Sequence, residues 1–400
     1  MSAGQGPASA GARNGSRLGD HILSLADFER AARRRLPRSI FGYVHGGVED
    51  NLTREANREA FVRRRLMPTS MVDVSGRTTR VELFGRTYGV PFGIAPMGGA
   101  ALAWRGGDLH LAEAADAFGA PFILTASSTV PLEAVARAAP DAWFEIHTVS
   151  DRDRLAATAD RLDRAGIDVL VVMADVPVLG NRENNQRVGF TMPPRLSPRL
   201  VLDGLAHPSW LLGTAAATML RDGMPHFENA DHGRRVPMIG RTQVPLVRDR
   251  FSLDDLAFLR ERWKGTLVVK GVLDPADAMR ARDVGVDGLI VSNHGGRQLD
   301  GAVASLDALE EIAAAVSGIT LMLDGGVRRG TDVLKALAAG ARFVFLGRPF
   351  MFALAAAGGV GVRHAFSILR SETERDMALL GINRLSELTA RHIRAAPYST

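Results

Sequence analysis

A histidine three residues ahead of an arginine, at the end of the apolar run GLIVSN, can do two things at once. The imidazole of His294 can take up a proton, and the guanidinium of Arg297 can grip a carboxylate through two parallel hydrogen bonds. Other short apolar runs end in the same manner. Thr125, Glu145 with His147, Asp175 with Arg182 close behind, Lys270, Ser292, Asp324 with Arg328, and Arg348 all stand at or just beyond such a run. Charged groups at so many run ends do not read as satisfied core; together they describe a polar funnel around an anionic ligand. The segments DGGVRRGTD (324–332) and LGRP (346–349) each combine glycines, an arginine and a helix that begins directly afterwards. That is the make-up of a phosphate site, with backbone amides and cations supplied together. Lys270 lies within LVVKG in a chain that has only three lysines, so a cation there reads as functional.

The elements that must position these residues emerge from the rest of the chain. Its 400 residues, 46% hydrophobic and 23% charged, can bury a full core. With no cysteine there are no disulfides, thiolate metal sites, iron–sulfur clusters or cysteine nucleophiles, and no metal site is expected. The longest apolar stretches, such as 352–362, reach about half of the ~20 residues of a spanning helix. Of the 49 basic residues all but three are arginine, scattered among 44 acidic ones, which argues against nucleic acid as a partner. Residues 1–19 are small and polar and read as a disordered leader, with one domain over 20–400. Helices are expected over 25–35, 37–46 and 53–64. Eight strand-like runs follow: 91–96, 122–125, 143–148, 169–175, 267–272, 288–293, 319–326 and 343–348. Most are separated by amphipathic helical stretches, for example 107–118, 132–138 and 331–338. Continuous apolar strands alternating with helices indicate a parallel sheet covered on both faces, and eight units fit an α/β fold of the (β/α)8 TIM-barrel type. A doubly wound open sheet stays open as the alternative, because periodicity does not show closure. The rhythm breaks once, after the fourth strand, where an insertion of about 185–250 would sit at the C-terminal face of the barrel. A lid, a membrane contact and an oligomer contact all remain open for it.

The stretches VSNHGGRQLDG (291–301), LDGGVRRGTDVLKALAAGA (323–341) and LGRP, supported by LPRSIFGYVHGGVED (36–50), IAPMGGAALAWRGGD (94–108) and ADVPVLGNRE (174–183), carry a resemblance. The chain resembles the FMN-dependent α-hydroxy acid oxidases and dehydrogenases, from about residue 25 to its end. The resemblance implies FMN as cofactor and an L-2-hydroxy acid as substrate, with electrons passing to O2 or quinone. It implies His294 as the base, Asp175 as the group that orients and charges it, and Arg182, Arg297 and Tyr43 as holders of the substrate carboxylate. Lys270 would lie at the flavin N1/O2 edge. Pro96, Met97, Gly98, Thr125, Glu145, Met173 and Ser292 fall at flavin-contact positions, and Asp324, Gly326, Arg328, Gly347 and Arg348 at those of the ribityl phosphate. A homotetramer is the implied assembly. The segment HPSW (207–210) resembles bacterial L-lactate dehydrogenases, which implies a cytoplasmic protein or one held peripherally on the inner membrane through the apolar 210–220.

The pattern is broken at three flavin-side positions. Glu145 and His147 stand where the family has glutamine and tyrosine, and Met173 where it has threonine. Side chains two apart on a strand share a face, so Glu145 and His147 both point inward and are expected to pair, replacing a neutral amide and phenol. Ser127 stands where short-chain glycolate enzymes carry tryptophan; a small residue opens the pocket and favours a bulky or aromatic substrate. Two other readings stay open: a flavin-binding barrel with an altered or lost reaction, motivated by Glu145, His147 and Met173, and a phosphate-binding barrel without flavin.

Overall fold

Runs of Val, Ile, Leu and Phe too short for a helix and buried on both faces become strands, and all eight do so in a computed structural model of the chain. It describes residues 18, 21–147, 150–191, 197–231, 234–238 and 249–395. The expected leader, Leu18 apart, lies outside the described residues.

Three helices come first: α1 (Leu25–Arg35), α2 (Arg38–His45) and α3 (Leu52–Val62). The barrel strands are β1 (Phe92–Ile94), β2 (Ile123–Thr125), β3 (Trp143–His147), β4 (Val169–Met173), β5 (Thr266–Val272), β6 (Gly288–Val291), β7 (Thr320–Asp324) and β8 (Phe343–Leu346). They pair in parallel in the order β1-β8-β7-β6-β5-β4-β3-β2. A parallel bridge between Ile94 and Phe122 joins the two ends, with the Ile94 N–H donating to the Pro121 carbonyl at 3.0 Å. The open-sheet alternative is thereby set aside. Gly93 is required at this seam, because a Cβ there would collide with the Pro121 carbonyl oxygen.

The helices that follow the strands are α4 (Gly107–Asp116), α5 (Leu132–Ala138), α6 (Arg152–Ala165), α7 (Leu253–Arg262), α8 (Pro275–Val284), α9 (Ser305–Ala315), α10 (Gly330–Ala338) and α11 (Arg348–Leu380). The last is long and apolar enough to span a membrane by composition, but 61% of its most apolar window is buried. It also bends at Ala357 and Gly358, where φ is +57° against the Trp104 ring. It is a core helix packed on α1, α4 and α10. A hairpin, Val81–Leu83 with Arg86–Tyr88, closes the N-terminal end; Tyr88 accepts from the Trp143 indole at 3.3 Å, and Trp143 packs on Phe345 inside. An antiparallel pair, Arg64–Leu66 with Ile393–Ala395, ties the two ends of the domain together.

The insertion between β4 and β5 carries helices Pro198–Leu205 and Pro208–Trp210, a π-type turn Leu211–Ala216, a helix Ala217–Arg221, and a hairpin built from His226–Asp231 and Arg234–Pro237. It is anchored at the β1 and β2 loops. The Trp210 indole donates to Leu102 O at 2.7 Å, and Arg35, stacked on Trp104, donates to Thr214 Oγ1, Ala103 O and Ala355 O. The Glu228 N–H donates to Ser128 O, and the Asn229 amide bridges the Leu132 N–H and Val130 O.

Candidate active site

The C-terminal ends of the strands form a bowl, and the segment after β6 supplies its centre. His294 has φ +58°, followed by Gly295 at +63° and Gly296 at +72°, so three left-handed residues in succession fold the chain into a tight turn. A non-glycine residue in that region costs energy and persists where its surroundings hold it. They do so here. The His294 N–H donates to Ser292 Oγ at 3.0 Å, and the Asn293 side chain is locked in reciprocal amide bonds with Asn57 of α3 at 2.8 and 2.9 Å. Gly296 lies against the α3 backbone at Arg54, where a Cβ would not fit.

The turn aims His294 Nδ1 at Asp175, 3.2 and 3.3 Å from its two carboxylate oxygens. Gly271 makes room for this contact, since a side chain at that β5 position would overlap the Asp175 carboxyl. Burial would raise Asp175, but His294 and Lys270 nearby hold its carboxyl below the usual range. Burial lowers His294 and Lys270 lowers it further, while Asp175 raises it; the net direction is down. His294 is therefore a neutral imidazole at neutral pH, able to accept a proton, with an ionised carboxylate beside it to steady the resulting cation.

Lys270, 3% exposed, donates to Ser292 Oγ at 2.9 Å and pairs with Asp324 at 3.1 Å. Ser292 Oγ donates in turn to the other oxygen of Asp324. Desolvation opposes the ammonium, but Asp324 and Asp175 raise its pKa, so it stays charged.

Arg297 donates to the carbonyls of Tyr43 (2.8 Å) and Gly46 (2.7 Å), and its guanidinium lies 5.1 Å from the Tyr43 ring centre. Arg182 reaches Arg297 O and Gln298 Oε1 at 3.3 and 3.1 Å. Burial and then the Arg182 charge pull Arg297 down to about 10. An anion near both guanidinium groups would relieve that repulsion. Tyr43 donates its hydroxyl proton to Gly98 O at 3.0 Å and stacks on Phe190 at 4.4 Å, which joins α2 to the β1 loop and to the insertion.

Register places the residues expected on the flavin side relative to one another. Thr125 pairs with Glu145, His147 with Met173, and Met173 with Lys270, so these side chains share the inner face. Glu145 and Met173 are buried. His147 Nε2 lies 3.9 Å from Glu145 Oε1 and 3.3 Å from Ser127 Oγ. Ser127 in turn faces Gly98, and Met97 abuts Gly347.

At the β7–β8 side two details depart from the sequence reading. The N-terminus of α10 is filled by the chain itself: Asp332 accepts from the N–H groups of Arg328 and Arg329, and Glu372 from that of Gly330. The guanidinium of Arg348 donates to the carbonyls of Gly295 and Gly46 at 2.8 Å and Val44 at 3.2 Å, so it clamps α2 to the β6 turn. The positive character of the corner survives. Arg328 is drawn down to about 10 by burial and by Arg58, and Arg348 well below its usual range by burial and by Arg297. Gly347 precedes α11, whose second residue is Pro349, and its carbonyl accepts from the Phe350 and Met351 N–H groups at 3.1 and 3.2 Å.

Asn57, Phe190 and the buried pair Asp108–Ser128, bonded at 2.9 Å, have no place in the sequence reading although each shapes the bowl. Asn57 and Thr53 left a trace, as polar members at helical spacing on the buried stripe of α3.

A family model described as FMN-dependent dehydrogenase matches residues 32–395. An L-lactate dehydrogenase of Caulobacter sp. is 39% identical, over 92% of this chain and 97% of that protein. The (S)-mandelate dehydrogenase of Pseudomonas putida is 34% identical, over 94% and 95%. The solved structure described as the monotopic membrane protein (S)-mandelate dehydrogenase superposes with a TM-score of 0.85 at 33% identity, covering 94% of this chain and 99% of that one.

Proposed function

Because the chain belongs to the family of FMN-dependent 2-hydroxy-acid dehydrogenases and oxidases, we propose that it oxidises a bulky or aromatic L-2-hydroxy acid to the 2-oxo acid, with His294 as base. The observation that carries this reading is the neutral His294 on its Asp175 carboxylate, set beside the Arg297–Arg182 pair and the Lys270 ammonium.

The residues fit the cofactor. Arg328 and Arg348 are buried cations that an anion would relieve, and the Gly347 and Arg348 N–H groups at the start of α11 would add amide donors. When bound, FMN supplies the two-electron sink. Asp324, Gly326, Arg328 and the Gly347–Arg348 backbone would hold its ribityl phosphate, and Thr125, Met173 and Ser292 would line its ring. Arg297 and Arg182 hold the substrate carboxylate, with Tyr43 against it. His294 takes one proton from the substrate, and Asp175 stabilises the imidazolium so formed. Lys270 keeps a positive charge where negative charge gathers on reduction. The small Ser127 leaves room for a bulky side chain.

A panel of 2-hydroxy acids tests this reading, scored by anaerobic bleaching of the yellow protein. Bleaching by mandelate-like acids ahead of glycolate is the expected result, and the reverse order would sink the size argument. Re-oxidation by air or by a quinone then separates oxidase from dehydrogenase.

The insertion supports a second element of the reading, a peripheral membrane contact. Leu202, Leu205, Leu212 and Leu220 are 67, 60, 68 and 86% exposed along its helices. Sedimentation with anionic vesicles should be lost in a Leu212→Glu, Leu220→Glu variant. If the wild-type protein ignores vesicles and the same variant dissociates a homotetramer, the surface is a subunit contact instead.

A further inference from the structure

We propose that Glu145 and His147 act as a single charge-compensated unit, a buried carboxylate neutralised by an imidazolium, that sets the reduction potential of the flavin; this rests on the FMN reading above. The charges around Lys270 make the case. One ammonium stands against Asp324 at 3.1 Å and, acting on it through space, Asp175 and Glu145. His294 is neutral and adds nothing to that balance. Lys270 is already paired with Asp324, and Arg182 and Arg297 lie on the His294 side, so an ionised Glu145 adds negative charge where reduction of the flavin adds one more. In low-dielectric surroundings such a charge disfavours the reduced state.

Glu145 is the added member of that set, and it is 2% exposed. A carboxylate so buried requires a cation or a proton of its own. His147 lies two residues further on the same face of β3, with Nε2 3.9 Å from Glu145 Oε1. The same nitrogen lies 3.3 Å from Ser127 Oγ, whose hydroxyl can accept the Nε2–H while the ring carries its second proton on Nδ1. Ser127 thus holds the imidazole against the carboxylate from the pocket side. The unit as a whole is neutral, like an amide and a phenol, and for that reason a site with Glu145 can still deliver electrons to a flavin. Removing the cation alone exposes the carboxylate; removing both restores neutrality.

The test is a cycle of Glu145→Gln and His147→Gln on the FMN-loaded protein, read by dye-equilibrated flavin potential at one pH. His147→Gln alone should shift the oxidised-to-reduced ratio toward oxidised by at least about tenfold, which is ~30 mV for a two-electron couple. Adding Glu145→Gln to that variant should return the potential to within about threefold of the parent ratio, roughly 15 mV by the same conversion. A His147→Gln potential that matches the parent, or a double variant that stays low, overturns the proposal. Should His147→Gln fail to fold, nitrogen NMR of the parent labelled in its histidine rings decides. One ring protonated on both nitrogens well above the ordinary histidine range, and lost in Glu145→Gln, is expected; its absence overturns the proposal. A protein that takes up no FMN overturns the family reading and this proposal together, whereas a yellow protein with uncoupled variants overturns this proposal alone.

Discussion

The His294–Asp175 pair draws its members from the ends of β6 and β4, strands with β5 between them, whereas Glu145 and His147 sit two residues apart on β3. The first exists only after the barrel has formed. It needs a left-handed histidine, a glycine at 271 that leaves space for the carboxyl, and an amide lock from a helix more than two hundred residues earlier in sequence. The second lies within one buried strand and takes a single support from outside it, Ser127 of the loop after the neighbouring β2. Geometry of the first kind is expensive to assemble and, on the proposed reading, would fix the reaction; geometry of the second kind can be exchanged residue by residue and would adjust it.

That contrast can be broken by measurement. The largest effect is expected for His294→Gln, which should lower the rate of flavin bleaching by about 10²- to 10⁴-fold, the usual range for loss of a general base. His147→Gln should cost far less in the same stopped-flow assay, and equal losses would erase the distinction. Asp175→Asn comes next. Loss of a charge-assisted hydrogen bond worth about 1.5–3 kcal/mol corresponds to roughly a 10- to 100-fold drop in kcat. The carboxylate raises the His294 pKa against burial and Lys270, so its removal lowers that pKa further. The acid limb of the kcat/KM profile should therefore move to lower pH, and a move upward would contradict the assignment. Arg297→Lys, which gives up bidentate geometry but keeps the charge, should raise KM by about tenfold with a smaller change in kcat, measured by steady-state kinetics.

The smallest effect belongs to Asp108, which supports the second pair from behind through Ser128, the neighbour of Ser127. Burial lifts its carboxyl from 3.8 to about 6, so the folded protein keeps a proton that the unfolded chain releases between those values. Stability from this group is present below 3.8 and is lost as pH rises through about 6. Asp108→Asn should remove that part of the pH slope and melt no lower than the parent at neutral pH, as followed by calorimetry.

The strands were legible because each is a continuous apolar run that only a doubly covered sheet can bury, as Val169–Met173 illustrates. Closure was not, since it turns on one bridge and on a glycine whose missing side chain matters only across the seam. Most residues of the candidate site were legible from one rule, a polar group at the end of an apolar strand. Asn57 and Asp108 escaped it because they come from helices and act through partners far away in sequence. Arg348 shows the opposite limit. Its type and place suggest a phosphate ligand, yet its guanidinium is engaged by the carbonyls of Val44, Gly46 and Gly295, which no local pattern announces.

The seam beside β1 also has a consequence for biosynthesis. Phe92 pairs with Val344, and Arg64–Leu66 with Ile393–Ala395, so the opening segments of the domain complete their pairing only with its closing ones. A ribosome that has released β1 through β7 has released a curved sheet with two raw edges and no bowl. Until β8 has been made the nascent chain lacks one wall of the bowl that would seat a cofactor, and shielding those edges falls to whatever meets the chain at the exit tunnel.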